Sequence, residues 1–314
     1  EVKRRAELAA GREFTSAVFG RPVYFIDDNP EADRLAEDTL AEVARSVGFG
    51  DVAFQYEPIA AAFDYESQID HEELVLIADI GGGTSDFSLV RLSPQRALKA
   101  DRRDDILATG GVHIGGTDFD KYLSLDAAMP LLGYKSLLKN NSEIPSSYYF
   151  NLATWHTINQ AYTRKAAAQL EDLVRDAQEP ARLVRLQNLI EDRSGHWLAM
   201  KMEEGKIALS DAASVTLDLD RLSPPDMLTL QRDRFEAATG HLVLSCEQAV
   251  TSMLADAGVA PEAVDTVFFT GGSSGVPMLR ARLGALLPKA RKVEGDLFGS
   301  IGAGLALDAV RKFG

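Results

Sequence analysis

The sequence predicts an α/β protein of about two domains, and three features predict it. An apolar run, Leu74 to Ile80, delivers Asp79 into a glycine-rich turn, and an alternating run then leads away to Leu92. A second apolar run, Val264 to Phe269, ends in another glycine turn, Thr270-Gly271-Gly272-Ser273-Ser274-Gly275-Val276-Pro277, before a helix. Two helices of small residues, Pro58 to Tyr65 and Gly299 to Ala306, lie far apart in the chain, and small side chains let helix backbones approach closely.

Composition narrows the class. With 314 residues, 46% hydrophobic and 25% charged, the chain can bury a large core without metal or disulfide staples. The single cysteine, Cys246, has no partner for an intramolecular disulfide and reads as a buried small hydrophobe on a helix. A net charge of -14 argues against nucleic acid or an anionic membrane surface as the main partner. No apolar run approaches the roughly 18 residues of a membrane span, and the charged start EVKRRAELAAGREF lacks the apolar centre of a signal peptide. A reducing, cytoplasmic setting is expected.

In chain order, residues up to about Thr15 read as helix. Gly20-Arg21-Pro22 reads as a break before a short strand, Val23 to Ile26. Asn29-Pro30-Glu31 combines an N-cap, a first-position proline and a first-turn acid. Leu35, Ala36, Thr39, Leu40, Val43 and Val47 then recur on one helical face, until Gly48 and Gly50. Val52 to Gln55 reads as a strand leading to Glu57-Pro58, and the polar stretch Ser67 to Glu73 as a boundary. After the central hairpin, Ser93 to Asp105 is a charged connector, and Thr109 to Asp120 a glycine-rich loop opening a helix. Asn140 to Pro145 is loop-like, Thr163 to Asp176 and Pro180 to Ser210 are expected as long helices, and Val215 to Leu219 as a strand. Phe235 to Ala257 is expected as a helix ending near Gly258.

The chemistry sits in the turns. In Asp79-Ile80-Gly81-Gly82-Gly83-Thr84-Ser85-Asp86, glycines admit a ligand close to the backbone, and successive N–H groups can cradle an anion. Asp79 cannot itself meet a phosphate favourably, but it can hold a hydrated Mg²⁺ that does. A glycine hairpin with capping acids is the competing reading. The turn at Thr270 can receive a polar group at a helix start, or simply cap that helix. Glu57 is either a site acid or a solvated loop acid, and His113, between glycines, reads as structural. No P-loop, dinucleotide fingerprint or zinc motif is present.

The order of these blocks resembles the ATPase domain of the DnaK-type, seventy-kilodalton heat-shock chaperones, within the actin-like (ribonuclease H-like) ATPase superfamily. The blocks are Glu57-Pro58-Ile59-Ala60-Ala61-Ala62, Asp79 to Asp86, Ile114 to Asp120, Thr270 to Pro277 and Gly299 to Ala306. Gly20-Arg21-Pro22-Val23, Phe54 to Pro58, Met129 to Gly133 and Leu173 to Ala177 resemble the divergent, bacterial YegD-like group.

The resemblance implies an α/β fold of two lobes, one of them incomplete. Residues 1–72 and 299–314 would be a partial first lobe, 73–114 and 241–298 the second-lobe core, and 115–240 a helical subdomain with a small sheet capping the cleft. It implies ATP or ADP with Mg²⁺ as ligands. Asp79 would order the hydrated Mg²⁺, Gly81, Gly82, Gly83 and Thr84 would contact phosphates, and Glu57 and Asp86 would position water. Gly115 and Gly116 would lie near the phosphates, Glu203, Lys206 and Ser210 near the nucleoside, Gly271, Gly272 and Ser273 on the adenosine loop, and Asp296 near the base.

The chain also departs from the family. It contains no D-x-G-T-T loop and no counterpart of the family's catalytic lysine. Ile207 and Gly275 stand where the family's two adenine-stacking arginines would fall. The expectation from the ending at Gly314 is that no β-rich substrate-binding domain follows. The expectation is a fragment of a chaperone ATPase. It would be inactive alone, hydrolyse ATP slowly in the intact protein, engage unfolded clients or co-chaperones, and self-associate through an exposed first-lobe edge. The alternatives are a non-catalytic nucleotide-sensing module, or an actin-like or sugar-kinase ATPase of the same superfamily.

Overall fold

A computed structural model describes residues 1–26, 29–99, 101–296 and 299–314. The connector expected over Ser93 to Asp105 therefore includes one position, 100, outside the described residues. Helix α1 (Val2–Ala10) ends at Gly11, whose φ of 65° closes it short of the Thr15 expected. The first strand, β1 (Ser16–Arg21), runs parallel to β2 (Asp51–Tyr56), with Ser16 opposite Asp51. The strand expected at Val23 to Ile26 is not formed. Gly20 pairs with Gln55 inside the ladder instead, and Pro22, which has no N–H to donate, follows its last residue.

Between them, α2 (Pro30–Ser46) is capped as expected, Asn29 accepting from Ala32 N–H at 3.1 Å. Its apolar stripe is turned outward, however. Leu35, Val43 and Val47 are 65%, 54% and 55% exposed, while Asp33, Ala41 and Ala44 face inward. Asp33 is inside because Arg21 is: the guanidinium meets Asp33 at 2.9 Å and also pairs with Glu37.

Helix α3 (Glu57–Glu66) follows β2 directly, and the central hairpin is β3 (Glu73–Ile80) with β4 (Ser85–Leu92). These belong to a five-stranded sheet of order β5-β4-β3-β8-β9, where β5 is Ile106–Val112, β8 Thr266–Thr270 and β9 Arg291–Glu294. β3 is antiparallel to β4 and parallel to β8. Both of its faces are covered: Leu76, Ala78 and Ile80 join one core, Val75 and Ile77 the other. Such two-sided burial explains a continuous apolar run. β5 and β9 were not legible as strands, and residues 109–112, expected as loop, belong to β5. There glycines and charges at the sheet's edges mask the alternation.

Helix α4 (Gly116–Leu123) opens a mainly helical region with α5 (Ser147–Ala153), α6 (Arg164–Asp176), α7 (Pro180–Glu191) and α8 (Gly195–Asp211). The single helix expected from Pro180 to Ser210 is broken at Asp192 to Ser194, where Arg193 has φ 50°. Gly195 N–H donates to the Tyr162 hydroxyl at 2.9 Å, anchoring the new start. A hairpin, β6 (Ser214–Leu219) and β7 (Asp226–Gln231), leads into α9 (Arg232–Asp256), which carries Cys246 fully buried. Burial pushes the Cys246 thiol up, so it stays an inert packing group.

α10 (Pro277–Leu286) follows the β8 turn, and α11 (Ser300–Phe313) returns to lie against α3 as the small-residue pattern required. The contact is backbone on backbone. A Cβ on Gly304 would stand 1.9 Å from the Ala60 carbonyl oxygen and 2.6 Å from its carbon. Ala in place of Gly normally favours a helix by about 1 kcal/mol. Here Gly304→Ala is expected to destabilise by about 1–3 kcal/mol, read as a lower midpoint in thermal or urea unfolding. An unchanged or raised midpoint would mean that these helices do not touch at this position.

Candidate functional site

Sheet register assembles the site. Because β3 and β8 are parallel with Asp79 opposite Thr270, their two glycine turns emerge side by side at one sheet end. Gly271, at φ 79°, crosses directly over the end of β3. A Cβ there would lie 2.4 Å from Ile80 O and 2.5 Å from Asp79 Oδ1, so only glycine permits this crossing. The β5–α4 turn closes the other side. Gly116 N–H donates to Gly81 O at 2.9 Å, Thr117 N–H to Gly82 O at 2.8 Å, and the Thr117 hydroxyl to Gly82 O at 2.9 Å. A Cβ on Gly115 would meet Gly83 N at 2.4 Å.

The middle of the first turn stays open. Cβ atoms built on Gly82 and Gly83 would meet nothing within 4 Å, and Gly82, Gly83 and Thr84 are exposed. The Thr84 hydroxyl donates to Asp86 at 2.7 Å. Asp118 accepts from Gly115 N–H at 3.0 Å, fixing the start of α4.

Three carboxylates gather on one wall. Asp79 and Asp86 are directly cross-strand partners, an arrangement unfavourable for like charges. Glu57, at the start of α3, shares with them a cleft of about 460 Å³ that is also bordered by Pro22, Tyr24 and His113. Burial, then the neighbouring Asp86, pushes Asp79 up to about 6. Glu57 is raised too, by burial first and then by Asp79 and Asp86. Among the described residues no three His, Cys, Asp or Glu side chains converge tightly enough to chelate a metal directly. Hard oxygen donors that repel one another without forming a direct cage suit a cation that keeps its water, as Mg²⁺ does.

The nucleoside-side residues are placed less uniformly. Lys206, on α8, is buried and ties that helix to α4: Nζ donates to Gly116 O at 3.2 Å and to Asp120 Oδ2 at 3.0 Å. Burial raises Asp120 to about 6 although Lys206 works against it. Ser273 Oγ would be 2.3 Å from a Cβ on Gly116, so Gly116 lies between Lys206 and the β8 turn. Glu203 is near enough to raise Asp120 further. The Ser210 carbonyl is taken by Arg232 at 3.1 Å. Asp296 follows β9, two strands from β3, and its carbonyl accepts from Ser300 N–H at 3.3 Å. Asp120 and Thr117 were quoted in the sequence motif without a role; only the tertiary contacts assign them one.

The chain has the actin-like ATPase fold, its sheet mixing parallel and antiparallel strands. The sequence model of the Hsp70 protein family matches residues 1–128 and 185–309. A chaperone protein HscA homolog of Azotobacter vinelandii is 31% identical over 312 residues, covering 98% of this chain and 39% of that protein. An HscA homolog of Cupriavidus taiwanensis is 29% identical over 285 residues, covering 90% of this chain and 35% of that protein. One from Aliivibrio salmonicida is 28% identical over 310 residues, with 98% and 39% covered. The chain belongs to the Hsp70 family. It spans about 39% of the length of curated relatives it matches, and the match passes over residues 129–184, which hold α5 and α6. No helix among the described residues is long and apolar enough to cross a membrane.

Proposed function

We propose that this chain is the nucleotide-facing part of a chaperone ATPase. In this reading it binds ATP or ADP with Mg²⁺ and, in a protein that supplies the opposing phosphate groups, hydrolyses ATP slowly. One observation carries this reading: the open Gly82-Gly83-Thr84 turn is braced from behind by Gly116 and Thr117 and flanked by Glu57, Asp79 and Asp86. Mg²⁺, when bound, would neutralise phosphate charge. Asp79 would accept hydrogen bonds from metal-bound water. Gly82 and Gly83 N–H groups would face phosphate oxygens, and Thr84 would orient Asp86. Glu57, its pKa raised, would orient a water and take its proton.

Calorimetric titration with ATP and Mg²⁺ tests the binding. Heat saturating below millimolar nucleotide is expected, and none at millimolar nucleotide would sink the reading. Turnover by the 314 residues alone is expected at background, because they contain no D-x-G-T-T loop. A non-catalytic nucleotide-sensing module is the second reading, favoured by the absence of cationic side chains at Ile207 and Gly275. In that case Asp79→Asn would leave cellular function intact.

We also expect self-association through the β1–β2 layer. Among the described residues β1 and β2 pair only with each other, which leaves the outer edges of this two-stranded sheet unpaired. Beside them Ile26, Leu35 and Val43 are exposed together. Light scattering should show mass rising with concentration, and Leu35→Glu with Val43→Glu should restore a monomer. A wild-type monomer at all concentrations would refute this.

A further inference from the structure

We infer that the groove between α5 and α6 is a binding site separate from the carboxylate cleft, and that it takes a short extended peptide, cationic at one end and anionic at the other. The inference does not rest on the nucleotide reading: both helices lie within residues 129–184, which the family match passes over. Between them lies a cavity of about 540 Å³, a size that suits a small ligand. Its depth is apolar, lined by Tyr148 and Ala161, which are buried, and by the half-buried Ala166 and Leu173. The Tyr148 hydroxyl is already engaged, donating to Ala166 O at 3.3 Å.

The charges along this groove run in one direction. Lys165, Gln169, Asp172 and Asp176 recur at spacings of four, three and four, so a single face of α6 lines the cavity. A helix favours acids at its N-terminus and bases at its C-terminus. On this face the order is reversed: Lys165 stands in the first turn, which holds no acid, and Asp176 in the last. The bases that serve the C-terminal end lie outside the cavity lining. Lys139 Nζ donates to Arg175 O at 2.6 Å, and Arg175 meets Asp172 at 3.1 Å. That pair, its side chains 73% and 72% exposed, holds Asp172 only weakly. Among the described residues Lys165 and the Asp176 carboxylate have no ion-pair partner. A face that breaks a local preference without a compensating contact marks a place to look for function. Here Lys165 adds to the positive helix end, and Asp172 and Asp176 add to the negative one.

The dimensions select the ligand. By helix rise, Lys165 lies about 10 Å along the axis from Asp172 and about 16 Å from Asp176. Five residues of extended chain span about 16 Å. The cavity is also bordered by the side-chain amides of Asn151, Gln160 and Gln169, none of which makes a hydrogen bond among the described residues. Each amide offers both donor and acceptor, as a peptide unit does. The groove therefore complements a main chain along its length and opposite charges at its two ends.

The test is calorimetric titration of the 314-residue chain with three acetylated and amidated pentapeptides that share an apolar centre. Their first and last residues are lysine and glutamate, two lysines, or two glutamates. The mixed peptide is expected to saturate below millimolar concentration. It should bind roughly two- to tenfold tighter than either like-charged peptide, the effect of exchanging an exposed attraction for a repulsion. Lys165→Glu should change that order and make the two-lysine peptide the tightest of the three. This substitution places an acid in the first turn of α6, which the helix favours, so unfolding cannot account for the exchange. No saturation by the mixed peptide at millimolar concentration overturns the inference. Equal affinity for all three peptides, or an order that Lys165→Glu leaves unchanged, overturns it as well.

Discussion

Arg102→Ala is expected to destabilise the protein by about 3–5 kcal/mol, the range for stranding a buried charge partner. Arg102 is the most deeply enclosed cation described, its side chain 0% exposed. Its two Nη atoms grip Glu66 at 2.9 and 2.8 Å, and Nε reaches Asp105 at 2.5 Å. Glu66 also accepts from Ser93 N–H at 3.0 Å. Arg96 pairs with Asp105 and meets Glu72 at 2.8 Å. The network therefore fastens the connector after β4 under the last turn of α3, the helix whose first residue is Glu57. Burial would raise the Asp105 carboxyl, but the hydrogen bonds from Arg102 and Arg96 hold it below the ordinary range.

That sign sets a pH test. A depressed carboxylate contributes stability above its unfolded pKa of about 3.9, and the contribution fades as pH falls through the folded value. The gap between wild type and Arg102→Ala, measured by urea unfolding, should be widest near neutrality and should narrow below about pH 4. A gap constant with pH would show that lost packing, not charge, accounts for the change.

Asp79→Asn is expected to have opposite effects on function and stability. Asp79 has a raised pKa, about 6 against an ordinary 3.8. The folded state then binds the proton more tightly than the unfolded chain. Stability is full below pH 3.8, declines as pH rises toward 6, and is flat above. The penalty at neutral pH is at most about 3 kcal/mol by linkage, and less because Asp79 is only half-buried. Asparagine, nearly isosteric and uncharged, removes it. In the absence of nucleotide the variant should unfold at higher urea than wild type at pH 7.5, with the difference vanishing at pH 3.5. Affinity for nucleotide with Mg²⁺ should fall roughly ten- to hundredfold, the worth of a hydrogen bond to a charged acceptor. A variant that is no more stable at pH 7.5 would mean that burial and the neighbouring Asp86 do not strain Asp79. A variant that binds Mg²⁺-nucleotide normally would remove Asp79 from the proposed site.

Local chemistry was legible wherever short-range residues carry it. The turn glycines, Asp79 and Asp86, the Asn29 cap, the α3 and α11 small-residue faces and the buried Cys246 follow from residue type and spacing. The strand at Val23 to Ile26 was misplaced because Gly20 and Pro22 look alike as punctuation, whereas Gly20 tolerates the ladder and Pro22 does not. The long α7–α8 helix was over-extended because Arg193 carries no signal for a left-handed turn. What packs against Gly195 decides that break. The outward stripe of α2 was legible as a stripe, but which way it faces depends on Arg21 drawing Asp33 inward.

The sequence by itself determined which groups the chain brings to a site: two glycine turns, a set of carboxylates and a lysine. Tertiary structure alone decided how they meet. Only the parallel register of β3 with β8 sets Gly271 across the end of β3. Only the antiparallel register with β4 sets Asp79 opposite Asp86. Only the packing of α8 on α4 turns Lys206 onto Asp120. Strand register is chosen by the faces that two separate cores bury, a property of residues nearly two hundred positions apart, and no local pattern near Asp79 carries it.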